Sequence, residues 1–150
     1  MTRTSKILSL VAAICTLPTG LLHAQSVGVA RFTTSFPFYA SGQKMPAGTY
    51  RATMPNINGH LLLIRNVDSS QSAIVQYDPT QSPEPVVQGL ATFHQYGNAY
   101  YLSDLTEKGE ETGMEILEST AEKRAIAAAL AKHELASTKS VALQFGVPGY

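Results

Sequence analysis

The chain has 150 residues, with 11 basic and 11 acidic side chains and a single cysteine. That length suits one domain with one core. Balanced charge, with no basic face evident along the sequence, argues against nucleic acid as a partner.

The first segment reads as a leader rather than as part of the fold. MTRTSK carries Arg3 and Lys6, an apolar run follows from Ile7 to Leu17, and LLHA precedes Gln25. A positive start, an apolar middle and a small residue at the cut are the layout of a secretory signal peptide. A spanning helix needs about 20 apolar residues, more than this run supplies. Cleavage is expected between Ala24 and Gln25, leaving residues 25–150 as a single β-rich domain with a C-terminal helix and a short tail. The expected location is the periplasm or the extracellular space, with no membrane span after cleavage. Cys15 sits inside the apolar run after Ile14, so a lipid anchor there is the minor alternative. Without it the mature chain has no cysteine, which excludes disulfides, thiolate nucleophiles and cysteine-bound zinc.

From Val27 to Ala40 the pattern has period two. Phe32, Thr34, Phe36, Phe38 and Ala40 share one parity, and Arg31, Thr33, Ser35, Pro37 and Tyr39 the other. This is a half-buried strand, and Pro37 marks an edge, a bend or a bulge in it. Gly42 opens a connection, and Met45-Pro46-Ala47-Gly48 fits a type I turn, with Pro46 presetting φ and Gly48 at the fourth position. Tyr50, Ala52 and Met54 then alternate with Thr49, Arg51 and Thr53. Pro55 to Gly59 is a turn cluster. LLLIR (61–65) is apolar on both parities, which predicts a doubly covered central strand. Ala73, Val75 and Tyr77 predict another strand, and the proline-rich 78–85 a surface connection.

Gly97-Asn98 between two strand-like runs predicts a hairpin with a type II′ turn. Its register would set Tyr96 opposite Ala99, Gln95 opposite Tyr100, His94 opposite Tyr101 and Phe93 opposite Leu102. One face would hold Phe93 and Leu102, the other His94, Tyr96 and Tyr101; neither face is plainly polar. Residues 107–118 are acidic, and Gly109 and Gly113 predict a loop. Ser119 with Glu122 forms a capping box before an alanine-rich helix over about 120–136, whose stripe is Ile126, Ala129, Leu130 and His133. Val141, Leu143 and Phe145 predict a last strand. Short strands followed by one helix place the chain in the mainly β class. The architecture is an antiparallel β-sandwich or a small barrel of about seven or eight strands with one C-terminal α-helix.

FPFYASGQKMPAGTYRA, LLLIRN, FHQYGNAYYLSDL, TGMEI and the SxxE helix start occur here in an order that resembles a family of small exported bacterial proteins, frequent in acidobacterial genomes. The resemblance spans most of residues 29–136. It implies export and a β-rich fold and brings no catalytic residue with it. Tyr39 stands where relatives in that family carry an acidic residue.

His94, Tyr96 and Tyr101 are the candidate binding residues, able to form an aromatic platform for a sugar or another planar ligand, although ordinary cross-strand packing is the reading favoured for them. The histidines lack metal-ligand spacing, and the glutamates of 107–118 lack the alternation of a calcium loop, so no metal or cofactor is expected. Asp78 and Asp104 are the few strand-located acids, and no G-x-S-x-G elbow or phosphate loop occurs. The first functional expectation is therefore a non-enzymatic binding or interaction protein of the envelope or extracellular space, with a glycan or an envelope protein as partner. The second is a small-ligand carrier with a barrel cavity, and the third a periplasmic hydrolase.

Overall fold

The structure is a computed structural model that describes residues 27–55 and 59–144. The expected leader with Cys15, Ala24 and Gln25, the Asn56–Asn58 part of one turn, and the end from Phe145 lie outside the described residues.

The elements in chain order are β1 (Val27–Thr34), β2 (Phe38–Ala40), β3 (Gln43–Met45), β4 (Gly48–Met54), β5 (Leu61–Asn66), β6 (Ser72–Gln81), β7 (Leu90–Tyr96), β8 (Ala99–Thr106), β9 (Thr112–Ile116), α1 (Thr120–Ala131) and β10 (Ser137–Gln144). Eight of the strands close into an antiparallel barrel in the order β8-β7-β10-β1-β4-β5-β6-β9, with β9 pairing back to β8. Of the two architectures the sequence allows, the barrel is the one formed. Closure removes the exposed edges of these strands and gives each an inner and an outer face.

The parity of the first strand run holds throughout. Ala30, Phe32, Thr34, Phe36, Phe38 and Ala40 are all buried, while Arg31, Thr33, Ser35 and Pro37 are exposed. The run breaks at Ser35–Pro37, where proline cannot donate to a ladder, and β2 leaves the barrel wall. It turns back at once through Ser41 (φ 49°) and Gly42 (φ 82°) into β3. Two consecutive positive φ values make this a type I′ hairpin. A turn at Met45–Gly48 alone misses this extra hairpin. Phe38 and Met45 are fully buried, so the hairpin is a plug. Phe38 packs on Phe32, Tyr50 and Phe93, and the Tyr50 hydroxyl donates to the Pro46 carbonyl. Gly48 is nearly extended rather than left-handed (φ 157°). Its need for glycine is a close approach, since a Cβ there would stand 2.9 Å from Asn66 Nδ2.

Four other expectations are corrected. β5 is not doubly covered: Leu62 and Ile64 point inward, and Leu61 and Leu63 are half-buried on the outer face. The strand predicted around Ala73–Tyr77 runs on through Pro79 to Gln81, because β9 pairs with Tyr77–Gln81. Gly113 is in β9, not in a loop; a Cβ there would meet Thr80 Oγ1 at 2.9 Å and Thr106 Oγ1 at 3.0 Å, so glycine permits β9 to close the barrel. The helix ends at Ala131, short of 136. His133 is left-handed (φ 57°), with amide bonds from His133 to Leu130 and from Glu134 to Ala129. That is a Schellman ending, so His133 stops the helix rather than extending its stripe.

The Gly97-Asn98 hairpin has the predicted register, pair for pair. Gly97 alone carries the positive φ (58°), as a type II′ turn requires. Ser103 is skipped in the pairing of β7 with β8, a bulge whose hydroxyl donates to the Thr92 carbonyl. The skip lets Leu102 and Leu105, three residues apart, both face the lumen. The inner face is therefore the Phe93–Leu102 face. Phe93 meets Phe32, Phe36 and Phe38, and Leu62, Ile64, Val75 and Leu105 complete a packed interior.

Candidate functional site

The outer face of β7 and β8 gathers the predicted residues. His94 and Tyr96 meet edge to face at 6.1 Å, and Tyr96 lies 5.8 Å from Tyr101. β2 brings a fourth ring that the sequence does not link to them: Tyr39 pairs in parallel with Tyr101 and stacks on it at 5.2 Å. Tyr101 is 7% exposed, whereas His94, Tyr96 and Tyr39 are half-buried.

What covers this face is α1, and its innermost residue is an acid. Ser119 caps the helix by accepting from the Glu122 amide at 3.2 Å, as the capping box predicts. The buried face of the helix is Glu122 and Ala129 with Ala125 and Ile126 half-buried, while Leu130 is 70% exposed. The predicted stripe is thus rotated toward Glu122. A helix made largely of alanine sits close to the sheet, and the capping position aims the Glu122 side chain at β7. Glu122 Oε1 lies 3.7 Å from His94 Nδ1, a buried nitrogen without a hydrogen-bond partner. Loss of water pushes the Glu122 carboxyl up from 4.5 to about 7, Glu118 adds to the shift, and the Ser119 backbone opposes it. The Tyr96 and Tyr101 hydroxyls are raised too, first by burial and then by neighbours that include Glu122. Burial also raises Asp104, which accepts from the Thr106 hydroxyl and faces Glu115 across the ladder. Charge on this wall is disfavoured in the carboxylate form, and proton exchange near neutrality is what Glu122 can do chemically.

Glu122 was visible to the sequence only as a capping residue. The missed signal is that a Glu at this position, two turns ahead of Ala129, falls on the buried stripe. The turn residues Pro46, Gly48, Gly97 and Asn98 serve the backbone and do not join the aromatic patch. Among the described residues no group of three His, Asp or Glu side chains is placed to hold a metal ion, and no helix is long and apolar enough to cross a membrane.

The opposite wall carries a basic row that is not evident along the sequence. In the register of β1, β4 and β5, Arg31 faces Arg51 and Arg51 faces Arg65. The three arginines, far apart in sequence, form one row on the outside of the barrel, and all are exposed.

No family model matches the chain, and no curated protein or solved structure shows significant similarity to it.

Proposed function

We propose that this is an exported, non-enzymatic binding or interaction protein of the bacterial envelope or extracellular space, which engages its partner on the outer wall of the barrel. The observation that carries the reading is the contrast between lumen and wall on the β7–β8 side. The lumen is packed with aromatic and aliphatic side chains, several of them fully buried. Outside it, His94, Tyr96 and Tyr39 stay half-exposed around Tyr101. Such rings offer an apolar body and a hydrogen-bonding tip, the combination that sugars and polar protein surfaces use. The described lumen residues pack on one another, which weighs against the carrier alternative, since a carrier needs a cavity.

Native mass spectrometry of the mature protein, purified from its own host, tests the reading. A retained glycan or protein partner is expected, and it should be lost in the double variant His94→Ala, Tyr96→Ala. A retained apolar small molecule that survives the double variant would favour the carrier instead. Export has its own check: the secreted chain should begin at Gln25, and a cytoplasmic chain still carrying Met1 would contradict it.

A further inference from the structure

The arginine row continues across five strands. Gln144 of β10 faces Arg31, and Ser72 of β6 faces Arg65. The order across the wall is Gln144, Arg31, Arg51, Arg65, Ser72, and every member can donate a hydrogen bond. Beside the row, the hydroxyls of Thr33 and Thr49 are bonded at 3.0 Å. Directly opposed side chains in an antiparallel ladder stand roughly 5 Å apart at Cβ, and like charges so placed repel. Among the described residues no side chain offsets this. All 11 acidic side chains lie among the described residues, and the first in the chain is Asp68. None stands within ion-pair distance of the three arginines; the acid–base contact at that distance among the described residues is His94–Glu122. A row of planar forks facing water, with no counter-charge among the described side chains, is matched to an external anion.

The shape of the wall selects among anions. Two shallow hollows flank the row, about 280 Å³ bounded by Arg31, Arg51, Arg65, Asn66 and Val67, and about 220 Å³ bounded by Arg51, Thr53, Pro55, Leu63 and Arg65. Both fall below the roughly 300–1,000 Å³ of enclosed small-molecule pockets; they lie on either side of the row, so the row itself stays open along its length, as an extended ligand requires. No aromatic ring borders either hollow, so a stacking platform for nucleic-acid bases is missing there. At the row each of Arg31, Arg51 and Arg65 has a paired strand on both sides, which leaves no free edge there for an added peptide strand. Hydroxyls and amides beside regularly spaced guanidinium groups fit a chain that alternates hydroxyls with carboxylates.

We propose that the outer wall of β1, β4 and β5 is a binding track for a linear acidic glycan, whose successive carboxylates are taken by Arg31, Arg51 and Arg65. The proposal shares the premise of a binding protein but does not require the His94–Tyr96 patch to bind anything, because the two lie on opposite walls.

The test is calorimetric titration of the mature protein with linear oligogalacturonate at low salt. Binding is expected, weakening as salt rises. Arg51→Gln should weaken it at least about tenfold, one decade in the dissociation constant. Arg51→Lys should fall between, keeping the charge but losing the fork. Lys44→Gln on β3, off the row, should bind as the parent does, and so should the His94→Ala, Tyr96→Ala variant. Melting curves check that Arg51→Gln is folded; the side chain is exposed, so its Tm should not fall. The proposal is overturned by no binding at low salt, or by undiminished binding in folded Arg51→Gln. Equal or tighter binding of a single-stranded oligonucleotide or of phosphatidylserine vesicles would also overturn it.

Discussion

The two walls of this barrel hold their charges in opposite ways. On β1, β4 and β5, three arginines stand in register in open solvent. On β7 and β8, α1 lies over the sheet and carries Glu122 inward, 5% exposed, beside His94. Water screens the arginines, so their mutual repulsion costs little. The covered carboxyl has lost its water, and it responds by holding its proton to about pH 7. The lesson is that cover, rather than charge count, decides which wall is sensitive to pH. A net charge of zero over the whole chain conceals this division.

The largest expected effect should strike both walls together. Phe93 touches Phe32 and Phe36 as well as the plug residue Phe38, so Phe93→Ala opens a cavity where the barrel and the β2–β3 hairpin meet. A loss of about 3–5 kcal/mol is expected by chemical denaturation. A loss under about 1 kcal/mol would mean that the two parts are not packed as one core.

Next comes the covered wall alone. The folded chain binds the Glu122 proton up to about pH 7, whereas the unfolded chain releases it near 4.5. The folded-state value is the raised one, so stability from this group is full below about 4.5 and is lost as pH climbs to about 7. Glu122→Gln keeps the capping chemistry and removes the charge. It should match the parent near pH 4.5 and exceed it by about 3 kcal/mol at pH 8. Equal stability at pH 8 would show that the carboxylate finds compensation on the sheet. Gly97→Val acts on the hairpin that carries the same wall. A β-branched residue at φ 58° should cost about 1–3 kcal/mol, and a variant as stable as the parent would place the turn elsewhere.

The smallest effect belongs to the open wall. Arg51→Gln relieves repulsion from two neighbours and should change stability by only a few tenths of a kcal/mol, in the favourable direction, with no new pH dependence between 5 and 8. A clear loss would mean that the arginines support the fold.

The sequence discloses what two-residue periodicity and local turn chemistry can carry. The buried parity from Ala30 to Ala40 and the register around Gly97-Asn98 are of this kind, as is the Ser119 cap. What it hides depends on pairings between distant segments. Pro79 continues β6 because β9 arrives to pair with it, and the β2–β3 hairpin is recognisable only once Phe38 and Met45 are seen to fill a lumen. Arg31, Arg51 and Arg65 each look like a routine exposed position on its own strand; only the registers of β1 with β4 and of β4 with β5 make them a row. Tyr39 joins Tyr101 through a single parallel pairing with no local signature.

The central claim is that this barrel meets its ligands on its walls and not in its lumen. Amide chemical-shift mapping during titration with oligogalacturonate tests it most directly. The account predicts shifts confined to β1, β4, β5 and the adjoining ends of β6 and β10, centred on Arg31, Arg51 and Arg65. Shifts centred on lumen residues such as Phe32, Leu62 and Phe93, with the arginine row unmoved, would contradict it.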